Sequence, residues 1–93
     1  MHVVFDPTKE IANLAKHGLS LLDAVGLEWE AALVWSDKRR DYGEPRMVGL
    51  VPANDRLFCV VFVDRPPEQA TERRIISLRK ANNREVRRYA NND

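Results

Sequence analysis

The 93 residues suffice for one hydrophobic core and are too few for two, so residues 1–93 are read as one domain. Hydrophobic residues at 44% and charged residues at 31% exclude the composition of a disordered chain, and no apolar run approaches the roughly 18 residues of a membrane span. The net charge of +1 excludes a uniformly basic protein, but the charge is uneven: Arg73, Arg74, Arg79, Lys80, Arg84, Arg87 and Arg88 face only Glu85 and Asp93, which makes residues 73–93 +5 and leaves residues 1–72 at −4. Such a basic segment is either a surface for a polyanion or acidic partner, or a solvated arginine-rich helix face.

The N-terminal residues lack the basic start and long apolar region of a signal peptide. Cys59, the single cysteine, sits in the apolar run Leu57-Phe58-Cys59-Val60-Val61, so a buried thiol is expected. Both features fit a soluble protein of the reducing cytoplasm, without a membrane.

In chain order, residues 2–5 form a first strand. Asp6-Pro7 then starts a helix: Asp accepts from the free amides of the first turn, and Pro has no amide to leave orphaned. Ile11, Leu14 and Ala15 form its apolar stripe, and Lys16-His17-Gly18 ends it with two groups suited to the negative helix end and a left-handed cap. Ser20-Leu21-Leu22-Asp23 resembles a capping box and predicts a second helix burying Leu21, Leu22, Val25 and Trp29. Strands follow at 32–36, 46–51 and 56–64, separated by polar turns at 37–43 and 52–55. The third, apolar at nearly every position from Leu57 to Val63, suits a central strand. A long loop at 65–71 contains Pro66-Pro67. Strand 73–79 is expected to place Ile76 and Leu78 on one face and Ile75, Ser77 and Arg79 on the other. Asn82 or Asn83 caps a last short helix holding Glu85, Val86 and Tyr89. The order β-α-α-β-β-β-β-α predicts an α+β fold: a small antiparallel sheet, two N-terminal helices and a short C-terminal helix.

The four glycines form no phosphate-binding loop, and His2 and His17 have no partners at metal-ligand spacing, so no cofactor or metal is expected. Ser20 reads as a cap and Ser77 lies mid-strand, so no serine nucleophile stands out. The remaining arginines, lysines, histidines, tyrosines and carboxylates suit metal-independent RNA cleavage, in which a 2′-hydroxyl attacks the adjacent phosphate. That chemistry needs a proton acceptor, a proton donor and cations to neutralise the phosphorane. His17 reads either as a helix-end residue or as a base or phosphate ligand. Asp6 reads as a cap, and Asn13 as a side chain bonded to local backbone. Trp29 and Trp35 read as core, Tyr42 and Tyr89 as half-buried packing rings. Arg46, Arg74 and Arg79 are strand arginines with apolar neighbours, less easily read as solvated than Arg84, Arg87 and Arg88. A helix-turn-helix around Gly18 fits poorly, because Asp23, Glu28 and Glu30 make the second helix acidic, a poor match to DNA.

Three blocks of the chain resemble the BrnT family. They are Phe5-Asp6-Pro7 with Lys9, Asn13 and Lys16-His17-Gly18; then Asp41-Tyr42-Gly43-Glu44-Pro45-Arg46; then Arg74-Ile75-Ile76-Ser77-Leu78-Arg79-Lys80-Ala81 with Glu85 and Tyr89. The resemblance implies a RelE-like fold and a ribonuclease toxin that arrests growth by inhibiting translation. It implies neutralisation by a BrnA-like antitoxin with a ribbon-helix-helix region, with operator DNA contacted only through the complex, and assembly as a homodimer or a toxin–antitoxin heterotetramer. Arg46, Arg74, Arg79, His17 and Lys16 carry over as catalytic candidates, with Arg73, Lys80, Arg84 and Arg88 as RNA-binding candidates. The chain departs from the family pattern at Leu78, where alanine is common, and in the longer loop at 64–71. An inactive relative that serves as a protein-binding or co-repressor module is the alternative.

Overall fold

The computed structural model describes residues 1–92. The strands are β1 (His2–Val4), β2 (Leu33–Ser36), β3 (Met47–Ala53), β4 (Arg56–Arg65) and β5 (Glu72–Lys80); the α-helices are α1 (Pro7–His17) and α2 (Asn83–Ala90). The strands form one sheet in the order β1-β5-β4-β3-β2. β2 through β5 pair antiparallel, as expected, but β1 lies parallel to β5, with His2 opposite Glu72 and Val4 opposite Arg74. The sheet is therefore mixed rather than purely antiparallel. Parallel neighbours need a long crossover, and here everything from α1 to β4 intervenes.

α1 begins and ends on its sequence signals. The Asp6 carboxylate accepts the Thr8 amide at 2.8 Å, and Gly18, at φ 70°, donates its amide to Leu14 at 2.9 Å. The expected second helix is replaced by two short 3-10 helices, Leu21–Gly26 and Trp29–Ala31. Side chains three apart eclipse in this geometry. Leu21 and Ala24 are thus both fully buried, while Leu22 and Val25, expected in the core, are both exposed. The reciprocal acid is not Asp23 but Glu10 of α1, which accepts the Leu21 amide at 2.7 Å and the Ser20 hydroxyl at 2.6 Å.

The β3–β4 hairpin turns on Asn54 and Asp55 alone, at φ 50° and 65°, the two positive values of a type I′ turn. β4 and β5 stay paired as far as Arg65 and Glu72, so the loop expected at 65–71 is found at residues 66–71. Their ladder carries one irregularity. Val61 pairs with Ser77 and Phe62 with Ile75, leaving Ile76 as an extra residue. This bulge puts Ile75 and Leu78, not Ile76 and Leu78, on one buried face. There they join Leu21, Ala24, Val51, Val60 and Phe62 beneath the 3-10 segments, with Trp29 edge-on to Phe62 at 5.2 Å between ring centres. The opposite face holds Val48, Leu50 and the buried Cys59 beneath Trp35 and Tyr89. Burial pushes the Cys59 thiol up to about 11, so it is an inert core group, as expected. α2 is capped by Asn82 with Glu85 in a full capping box, and the Tyr89 hydroxyl donates to the Ala31 carbonyl at 2.6 Å.

Asn13, expected to bond local backbone, does so at Leu19 and also reaches across the fold to Leu78. It is 4% exposed; its carboxamide donates to the carbonyls of Leu78 (2.8 Å) and Leu19 (2.9 Å) and accepts the Leu78 amide (3.1 Å). Among the described residues, no helix is long and apolar enough to cross a membrane.

Candidate nucleic-acid interface

The bulge at Ile76 decides which side chains of β5 face which way. Arg73 projects onto the face of the 3-10 segments, its guanidinium 4.3 Å from the Trp29 ring centre and 4.5 Å from that of Phe62. Asp64 accepts from it twice, at 2.7 and 2.8 Å. By alternation Arg74 points to the other face, and past the bulge Ser77 and Arg79 do so too. Arg46 shares that face, since the next residue, Met47, packs on the opposite one.

A cleft of about 560 Å³ opens on this face, between the sheet and α1. Lys9, Lys16 and His17 line it from α1, Arg39 and Arg46 from the β2–β3 connection, and Ser77 and Arg79 from β5. None of its lining residues is a carboxylate. It shares Arg39, Val61 and Arg79 with an adjoining pocket of about 270 Å³ that runs on toward Trp35, Asp37 and Glu85, making one trough.

Buried Asp37 organises the β2–β3 connection. Its amide donates to the Arg46 carbonyl at 2.7 Å, and its carboxylate accepts Arg39 Nε at 2.9 Å, Arg39 Nη2 at 2.8 Å and the Tyr42 hydroxyl at 3.2 Å. The Arg39 hydrogen bonds outweigh burial and hold the Asp37 carboxyl well below the usual carboxylate range. Tyr42 in turn lies under Arg46, guanidinium carbon to ring centre 3.8 Å.

Arg79 forms the other fixed point. Glu85 accepts from both of its terminal nitrogens at 2.8 Å, while also accepting the Asn82 amide at 2.9 Å. One carboxylate thus caps α2 and aims Arg79. These hydrogen bonds raise the Arg79 guanidinium and lower the Glu85 carboxyl from their ordinary values. His17 shifts down, first by burial and then by the positive charges of Lys16 and Arg79. At neutral pH its imidazole is therefore predominantly neutral.

Of the residues anticipated from sequence, Lys16, His17, Arg46 and Arg79 meet in this one cleft. Arg74 shares their face but does not line the cleft. Arg88 lies over the Trp35 ring at 3.8 Å, beside the adjoining pocket. Lys80 and Arg84 are exposed outside both, and Arg73 faces the other way. Lys9 and Arg39 were not anticipated. Lys9 carried a usable signal, since it lies seven residues, two helical turns, before Lys16. Arg39 carried none, because it reads as one of several charges in a polar turn. Among the described residues, no three His, Cys, Asp or Glu side chains gather closely enough to hold a metal ion.

The family model of BrnT, the ribonuclease toxin of type II toxin–antitoxin systems, matches residues 5–85. The chain belongs to the BrnT family. No curated protein matches it. The matched span takes in every residue that lines the BrnT cleft and ends at Glu85, the partner of Arg79. As a BrnT toxin the protein is a ribonuclease whose substrate is RNA and whose cellular counterpart is an antitoxin.

Proposed function

We propose that this BrnT chain, as one toxin domain on a RelE-like scaffold, is a metal-independent endoribonuclease that works in the cytoplasm and cuts RNA in the cleft between α1 and the sheet. The observation that carries this reading is the cleft's inventory: Lys9, Lys16, His17, Arg39, Arg46 and Arg79 around one cavity, with no carboxylate among the lining residues. A phosphodiester brought there meets concentrated positive charge and a neutral imidazole. His17 takes the proton of the 2′-hydroxyl as that oxygen attacks phosphorus. The bond to the 5′-oxygen breaks and Lys16 supplies the proton to the leaving group. Arg79, held rigidly by Glu85, neutralises the phosphorane. The products are a 2′,3′-cyclic phosphate and a 5′-hydroxyl. Inhibition of translation follows, relieved by a BrnA-like antitoxin with a ribbon-helix-helix region through which the complex reaches operator DNA.

A second reading rests on a different observation. Arg39 and Arg79 are both engaged in two-point pairs with carboxylates, at Asp37 and Glu85. An inactive relative that keeps the fold to bind its antitoxin would look the same. Induced expression in bacteria distinguishes the two: growth arrest with loss of full-length RNA supports the nuclease, and normal growth with well-folded protein supports the binding module.

Because the His17 imidazole titrates below the ordinary value of about 6.5, the sign of the pH dependence is set. The base is competent at neutral pH, and cleavage declines as pH falls through a midpoint below 6.5. His17→Ala is expected to lower the rate by about 10²-fold and to remove that acid limb; an unchanged acid limb in the variant rules out His17 as the base.

A further inference from the structure

Arg46 and Arg74 occupy one row of the sheet. Met47 pairs with Phe62, so Arg46, one residue earlier, is level with Val63; Val63 in turn pairs with Arg74. All three project to the face of the cleft, and Val63 between the arginines is buried. Two strand spacings put the arginine α-carbons about 10 Å apart. The Nε of each is buried with no hydrogen-bond partner. Among the described residues neither arginine is in an ion pair. Arg46 has only the Tyr42 ring beneath it. The nearby carboxylate is no substitute, because both oxygens of Glu44 accept from Arg65, at 2.7 and 3.0 Å. The Arg65 hydrogen bonds do most to hold the Glu44 carboxyl below its ordinary range, and the charges of Arg74 and Arg46 add to this only after that of Arg65.

Two cations flank an apolar floor, each with its Nε buried and unsatisfied and neither in an ion pair, an arrangement that an anion on this face would complete. Arg46 reaches the cleft from one end of the row, and Arg74, at the other end, lies outside it. Arg79 pairs with Cys59, four residues along β4 from Val63, or about 13 Å. A strand lying along this face can place different phosphates at the two rows. We propose that Arg46 and Arg74 form a second anion subsite, which holds a non-scissile phosphate of the same RNA strand while the scissile one sits by His17 and Arg79. This rests on the ribonuclease reading of the cleft. It deepens that reading by giving the substrate a minimum length: the strand must extend past the cut to occupy both rows.

The test compares binding of two uncleavable 2′-O-methyl RNAs, a dinucleotide and an octanucleotide, by the full chain and its Arg74→Gln variant. The variant is expected to bind the octanucleotide about tenfold more weakly, with the slope of log K against log salt reduced by about 0.7, the loss of one phosphate contact on a single strand. Dinucleotide affinity should move less than twofold. With a cleavable octanucleotide, KM should rise about tenfold and kcat change less than twofold. Unchanged octanucleotide affinity and slope overturn the subsite, as does equal weakening of both lengths, which would put Arg74 at the scissile phosphate. Arg74→Lys, expected to keep the salt slope and lose part of the affinity, provides the second variant if Arg74→Gln melts early. Failure of the parent protein to cut the cleavable octanucleotide would instead defeat the ribonuclease reading, while the binding comparison still decides the subsite.

Discussion

Arg79→Ala is expected to lower RNA cleavage by about 10²–10³-fold, the usual consequence of removing a fixed donor to a developing anion. The loss is larger than that of one cation. Arg79 is the partner of Glu85, which stands on the wall of the adjoining pocket. Without the arginine, Glu85 keeps its tie to Asn82 and remains as a bare carboxylate beside the path of a polyanion. The local charge reverses from balanced to negative, and the electrostatic steering of RNA into the trough falls with it. Arg79→Lys restores the charge but cannot reproduce the two-point fit to Glu85, so a loss nearer tenfold is expected. A separate readout tests the geometry. Arg79 is one of the charges that depress His17, so in Arg79→Ala the acid limb of cleavage should move toward higher pH. Stability should change by only about 1 kcal/mol, since the pair is partly exposed. Purified variants compared by cleavage rate across pH, with a melting curve for each, give the result. Cleavage within fivefold of the parent would remove Arg79 from the chemistry.

Much of what positions this cleft is local and so legible in the sequence. The Asp6-Pro7 start and Gly18 stop of α1 delimit the helix that carries Lys16 and His17, and each is a one-residue chemical signal. The Asn82 cap and Glu85 likewise announce α2. The apolar run around Cys59 foretells a central strand, and β4 indeed lies third of five. The illegible parts are those set by tertiary partners. A bulge adds one residue without any compositional mark. Strict alternation along β5 therefore placed Ile75 with Ser77 and Arg79, whereas the bulge at Ile76 moves Ile75 into the opposite core. It also exchanges the faces of Arg73 and Arg74: without it alternation would put Arg73, not Arg74, on the face of Arg79. The Leu21–Gly26 segment has enough apolar residues for an α-helix, but its burial repeats every three residues. Glu10 of α1, not a residue of that segment, satisfies its first amide. The parallel partner of β1 lies about seventy residues away, beyond any local pattern.

Asn13→Ala is expected to cost about 3 kcal/mol of stability, although the substitution sits on a helix and favours helical propensity. The cause is the bare edge of β5. β1 stops pairing at Val4 opposite Arg74, so β5 continues without a neighbour strand on that side. The Asn13 carboxamide takes the place of one: it donates to the Leu78 carbonyl and accepts the Leu78 amide, as an adjoining strand would, and donates again to Leu19. Alanine leaves three backbone groups in a buried setting without those partners, at about 1 kcal/mol or more each. For a domain of this size a loss of about 3 kcal/mol lowers Tm by about 12–24 °C. Asn13→Asp should be worse than its near-identical shape suggests, because it removes the donor, turns a carboxylate oxygen toward two carbonyls and buries a charge. Asn13 also ties α1 to the sheet, and α1 carries Lys9, Lys16 and His17 into the cleft. Cleavage by Asn13→Ala should therefore drop even at temperatures where the variant stays folded, with protection of the α1 amides from hydrogen exchange falling in parallel. A melting temperature within 3 °C of the parent would show that α1 is held chiefly by other contacts, with the Glu10 clip to Ser20 and Leu21 the first to examine.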